Sequence, residues 1–155
     1  MSLSEVSNVL WCERRLLELL VFKLDEEQFV LESGRTRWLA HADREVQTVL
    51  DEIKRVELEC AMAVAGSARE LGMSGAPSLR ELAAVAPPPW NGIFDQHQQA
   101  LSLLAREVEA ATELNRDTIR RVQHVARDAL ATPAEIDIDV AEALGRQCDL
   151  MRERG

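Results

Sequence analysis

Tyrosine is absent from this 155-residue chain, and the remaining aromatics are only three Phe and three Trp. Glycine (seven) and proline (five) are also sparse, and Val, Ile and Thr seldom alternate with polar residues as they do in half-buried strands. Together these shortages disfavour a sheet protein assembled from short strands and tight turns. The three cysteines, Cys12, Cys60 and Cys148, lie far apart with no C-x-x-C spacing. That argues against a disulfide framework or a zinc knuckle and fits a reducing compartment. No run approaches 18 uninterrupted apolar residues, so no membrane insertion is expected. The opening "MSLSEVSNVLWCERR" lacks the basic start, compact apolar run and small-residue cleavage site of a secretory leader.

Positive charge is in deficit as well. The net charge of −9 argues against nucleic acid as a partner, because phosphate recognition needs a basic face. The acidity gathers at the two ends, −4 over residues 1–32 and −3 over residues 131–155.

What the chain does have is Leu, Ala, Glu and Arg in abundance, a composition that leans to helix. At 46% hydrophobic and 29% charged it is too apolar to stay disordered, and its length suits one domain with a modest core. The first helical stretch is expected over about 3–32. Leu10, Leu17, Leu24 and Leu31 recur every seven residues with Val6 and Leu20 on the same side, and Leu16, Val21, Phe22, Phe29 and Val30 are expected to widen that stripe. "ESGR" (32–35) supplies a stop, with Gly34 able to turn left-handed after the helix.

A second stretch is expected over about 36–71. Leu39, Ala42, Val46, Val49, Ile53, Val56, Cys60 and Ala63 alternate three and four apart, which is a coiled-coil seam. "LGMSGAPS" (71–78) ends it, and Ser78 with Glu81 forms a capping box that opens a short helix to about Val85. The proline run of "APPPW" then suits the launch of a third long helix, over about 90–130. Its seam is Phe94, His97, Leu101, Leu104, Val108, Ala111, Asn115, Thr118, Val122, Val125 and Ala129. Thr132, Pro133 and Glu135 signal one more helix start, before an amphipathic segment carrying Ile136, Val140, Leu144 and Met151. The fold class expected is all-α: an elongated antiparallel bundle of three long, coiled-coil-like helices with short extra helices. The expected division is a helical domain over 1–130 and an amphipathic helical tail over 131–155. Such rods expose much surface and offer few deep clefts, which tilts the reading toward binding.

Catalytic and metal-binding patterns are missing. None of His41, His97 and His124 has the Glu-x-x-His or H-E-x-x-H setting of metal sites, and none is followed by the lysine and glycine of a phosphotransfer histidine. His97 sits on the seam and reads as a core or rim residue, whereas His41 and His124 read as surface. Cys60 reads as a small packed side chain. No glycine-rich phosphate loop occurs, and "WNG" (90–92) is at the wrong place to join two helices. Neither an enzyme nor a cofactor is expected. Asn115 is the anomaly, an amide where the beat calls for an apolar residue. It is either a register-setting polar residue that lowers stability, so that leucine there would raise it, or the point where a packed seam gives way to a surface awaiting a partner.

Three stretches taken in order, "LLVFKLDEEQFVLESGRTRWLAHADREVQTVLDEI" (19–53), "SLRELAAVAPPPW" (78–90) and "ATELNRDTIRRV" (111–122), resemble a flagellar export chaperone of the FlgN type. The likeness covers roughly residues 3–130. It is carried by Phe22 to Gln28, by the Gly34 to Leu39 turn and by Glu113, Leu114 and Asn115; Asp117 and Thr118 stand where many relatives have a second Asn-Gly. The resemblance implies a non-enzymatic cytoplasmic chaperone of flagellar type III secretion. Its partners would be the hook–filament junction proteins, whose C-terminal amphipathic helices it would cover before export, and the flagellar export apparatus. It further implies binding through the C-terminal part. With the apolar pattern, that points to Leu114, Asn115, Ile119, Val122, Val125, Ile136, Val140 and Leu144. The rival reading is a structural coiled-coil protein that self-associates through the same seams as a homo-oligomer, without a client.

Overall fold

The computed structural model describes residues 2–128, and among them four α-helices and no strand occur. Helix α1 (Leu3–Ser33) opens with a capping box in which the Ser2 hydroxyl accepts from the Glu5 N–H. It ends where Gly34 turns left-handed, φ 67°. A single 3-10 turn over Thr36–Trp38, where the sequence suggested the helix already begins, leads into α2 (Leu39–Glu70). The Ser78–Glu81 capping box opens α3 (Leu79–Val85), and α4 (Trp90–Asp128) follows the prolines. The expected tail over 131–155, with Ile136, Val140 and Leu144, lies outside the described residues.

A Cβ placed on Gly34 meets nothing within 4 Å, so its left-handed backbone is the only objection to a side chain there. Gly34→Ala should therefore cost about 1 kcal/mol, the strain of an L-residue in that region, and Gly34→Asn less. Thermal unfolding of the two variants checks this. Equal losses would mean that the turn is held by something other than its dihedral.

The hairpin makes α1 and α2 antiparallel, and Lys23 reaches Glu45 across it at 3.0 Å. Helix α4 runs parallel to α1. Ser7 meets His97 and Gln28 meets Thr118, the same ninety-residue offset at points three heptads apart, so the pair stays in register. Both long partners lean on α1, and the backbones of α2 and α4 scarcely approach each other. The central core is the meeting of Leu17, Leu20 and Leu24 with Val46, Val49, Leu50 and Ile53 and with Leu104 and Val108. Several of these are fully buried, each contributing about 1.5–3 kcal/mol of hydrophobic burial. A second cluster packs Val6, Leu10, Ala63, Val64, Ala68 and Phe94 against Leu82 and Ala83 of α3.

One expectation needs correction. Phe22 and Phe29 do not widen the buried stripe of α1; they are 58% and 70% exposed. Both neighbours of α1 sit on one side of it, and its outward face has no helix to cover it. The rod also has a cleft. Because α2 and α4 lean apart, an open groove of about 940 Å³ lies between them. Leu10 and Leu17 of α1 line it together with Leu58, Ala61 and Val64 from α2 and Leu101 and Ala105 from α4, and the 76–81 segment contributes to one end.

Candidate partner-binding surface

The amide at position 115 belongs to a polar layer inside the α1–α4 interface. Asn115 is 2% exposed, and its Nδ2 donates to the Leu24 carbonyl at 2.9 Å and to Glu27 Oε2 at 2.8 Å. One turn on, Gln28 Nε2 donates to Thr118 Oγ1 and to Glu32 Oε1, both at 2.9 Å. The Thr118 hydroxyl also accepts from Arg121 Nη2 at 2.9 Å. Slid by one heptad along α1, Asn115 would face Leu20 or Gly34 in place of Glu27, with no side-chain acceptor. The layer therefore favours a single register of α4 on α1.

Glu27 is 3% exposed. Burial pushes its carboxyl up to about 7; the Asn115 N–H counteracts part of that, and the nearby Asp43 charge adds to it. The group thus changes charge near neutral pH within an apolar seam. Its position was legible: Leu17, Leu20, Leu24, Glu27 and Leu31 keep the three-four beat. Its partner was not, because Asn115 is 88 residues away.

Toward the other end of the pair, His97 Nε2 and the Ser7 hydroxyl are 3.1 Å apart, and Trp11 meets the imidazole edge-on at 5.2 Å. Burial, and then the Arg14 charge, lowers the His97 pKa. His97 Nδ1 has no hydrogen-bond partner, so no carboxylate orients the ring as a nucleophile–base pair would require. Among the described residues no group of three or more His, Cys, Asp or Glu side chains gathers as a metal site. No described helix is long and apolar enough to cross a membrane.

The residues singled out on the late third helix separate by face. Asn115 and Ile119 are buried, and Val122 packs partly against the small Leu31–Ile119 cluster. Leu114 and Val125 stand in solvent, 49% and 66% exposed. The ninety-residue offset brings Ser33, the last residue of α1, level with Gln123. The end of α4 therefore continues past α1, and Val125 has nothing of α1 to pack on.

Four of the six aromatic side chains, Trp11, Phe22, Phe29 and Trp38, are also exposed. Cations lie over three of them: Arg14 over Trp11 at 4.1 Å, Lys23 over Phe22 at 5.5 Å and Arg37 over Trp38 at 4.8 Å. A surface so furnished offers a partner apolar contact at several separate places.

The family model described as FlgN protein matches residues 1–132 of the chain. No curated protein and no solved structure gives a match.

Proposed function

From the premise that this chain belongs to the FlgN family, which implies a flagellar export chaperone, we propose that it binds the C-terminal helices of hook–filament junction proteins. It does so in the cytoplasm, prevents their premature assembly, and delivers them to the export apparatus. The observation that carries the placement is the late part of α4, where Leu114 faces away from α1 and Val125 lies past its end, both exposed. An amphipathic client helix can satisfy its apolar stripe on such a surface. The 131–155 segment, with Ile136, Val140 and Leu144, extends this surface in the proposal.

Leu114→Asp and Val125→Asp are surface changes, expected to alter stability by no more than about 0.5 kcal/mol. Each should weaken retention of a junction-protein C-terminal helix by about tenfold, about 1.4 kcal/mol. Deleting residues 131–155 should weaken it as well. Unchanged affinity in all three variants would remove the client from this end of the molecule.

A second seat is favoured by the groove between α2 and α4, whose Leu10 and Leu17 floor would make a client the fourth helix of the bundle. Leu58, 65% exposed, allows a test that leaves the core alone. If Leu58→Asp abolishes retention while Val125→Asp does not, the groove is the site. If the wild-type chain retains no junction protein, the rival reading of a client-free coiled coil stands.

A further inference from the structure

The outward face of α1 carries Trp11, Phe22 and Phe29 along one ridge, 48%, 58% and 70% exposed. Their spacing of eleven and seven residues returns to nearly the same side of a helix. With Leu19 on its flank, 40% exposed, the ridge offers on the order of 400 Å² of apolar surface, as large as the patches that monomers usually reserve for function. Apart from the edge-on contact of Trp11 with His97 of α4, the face is covered by neither α2 nor α4, and no part of the proposed client surface uses it.

We infer that this ridge is the contact between two copies of the chain, paired antiparallel across a two-fold axis at the level of residue 20. The charges that flank the ridge single out that occupant; Glu18 stands on the ridge itself and meets Phe22 of the reversed copy. Arg14 and Arg15 lie six and five residues before the ridge's midpoint at residue 20, and Asp25 and Glu26 lie five and six residues after it. Reversing one copy sets Trp11 opposite Phe29 and Phe29 opposite Trp11. Residues on the same flank meet in an antiparallel pair with two-fold symmetry. With 3.6 residues per turn, that sets Arg14 beside Asp25 on one flank and Arg15 beside Glu26 on the other. Each pairing occurs twice and each is of opposite sign. Other registers that pair the aromatics, such as Phe22 with Phe29, would break the charge matches.

The monomer leaves two of these groups free, while Arg14 already lies over the Trp11 ring. Arg15 and Asp25 are exposed and make no ion pair among the described residues. Glu26 makes surface contacts with Lys23 at 3.6 Å and with Glu45 of α2, which are worth little. From residue 11 to residue 29 the contact spans about 27 Å of helix. Doubling the apolar patch and adding the charged flanks gives an interface near the low end of the specific range, about 1,200 Å². The dimer should therefore form and dissociate in the micromolar range, tightening at low salt.

Sedimentation equilibrium of the full chain across that range, at low and high salt, is the test. The wild type should move from monomer to dimer with rising concentration. Arg15→Glu and Glu26→Arg should each be monomeric under the conditions where the wild type dimerises, because each sets like charges together twice. An equimolar mixture of the two single variants should dimerise again, since both contacts in the mixed pair regain opposite sign. Phe29→Ser should weaken dimerisation at every salt concentration, and helical circular dichroism should be unchanged in all variants. A wild type that stays monomeric at hundreds of micromolar overturns the inference. So does a dimer that tolerates both single reversals, or a mixture that fails to recover. Client retention is measured separately and involves other residues, so either result can fail without the other.

Discussion

Asn115→Leu is expected to lower stability by about 2 kcal/mol at pH 7.5, although it replaces an amide with a hydrocarbon in an apolar seam. The seam alone argues the opposite sign, since a polar residue among leucines usually costs stability. The sign reverses because Asn115 is not isolated: it donates to the Glu27 carboxylate at 2.8 Å and to the Leu24 carbonyl at 2.9 Å. Leucine would leave a buried carboxylate without its donor, and an unsatisfied buried partner costs about 1–3 kcal/mol or more when charged. Glu27→Leu alone should also destabilise, because the amide then keeps only the Leu24 carbonyl as acceptor and its Oδ1 already lacks a partner. The double variant Glu27→Leu/Asn115→Leu removes both polar groups and should recover most of the loss. Denaturant melts of the four proteins give the coupling directly. Additive single losses would show that the 2.8 Å contact contributes nothing. A loss for Asn115→Leu that is equal at pH 5 and pH 8 would trace to the shape of leucine rather than to the stranded charge.

Glu27→Gln should stabilise the protein by about 3 kcal/mol at pH 8 and change little at pH 4. The folded-state value of about 7 lies above the ordinary 4.5, so the folded protein binds the Glu27 proton more tightly than the unfolded chain does. The associated stability is fully present below pH 4.5. It declines as the unfolded chain ionises above that, and it is gone once pH has risen through about 7. The interval between the two values corresponds to about 3 kcal/mol. Glutamine keeps an oxygen to accept from Asn115 and cannot ionise, so its stability lacks this decline. The measurement is urea unfolding of both proteins from pH 4 to pH 8. Parallel curves over that window would place the Glu27 carboxyl at its ordinary value, in contact with water.

Much of the architecture could be read along the chain because each helix announces itself locally. The heptad of Leu10, Leu17, Leu24 and Leu31, the alternating seam from Ala42 to Ala63, the Ser78–Glu81 box and the left-handed Gly34 all depend on neighbours within a few residues. All four appear as expected. The family resemblance rested on the order of such local signatures, and the family match over residues 1–132 shares that basis. Even Glu27 was visible as a carboxylate on an apolar beat, had "LDEEQ" been read by position and not by composition.

Which faces of the helices stay in water was decided elsewhere. Periodicity says that a stripe is apolar, not whether a neighbour exists to cover it. Phe22 and Phe29 form a second apolar stripe opposite the leucine heptad and are surface residues because α2 and α4 both pack on the far side of α1. Leu114 and Asn115 are adjacent in sequence, yet one faces solvent and the other is sealed against α1. The sequence by itself determined the helices, their lengths and their breaks, since these follow from short-range propensity and capping. Only the tertiary structure decided the parallel register of α4 on α1, the pairing of Asn115 with Glu27, the groove between α2 and α4 and the bare aromatic ridge. These depend on contacts between residues tens of positions apart, where the free energy is set by what each side chain meets.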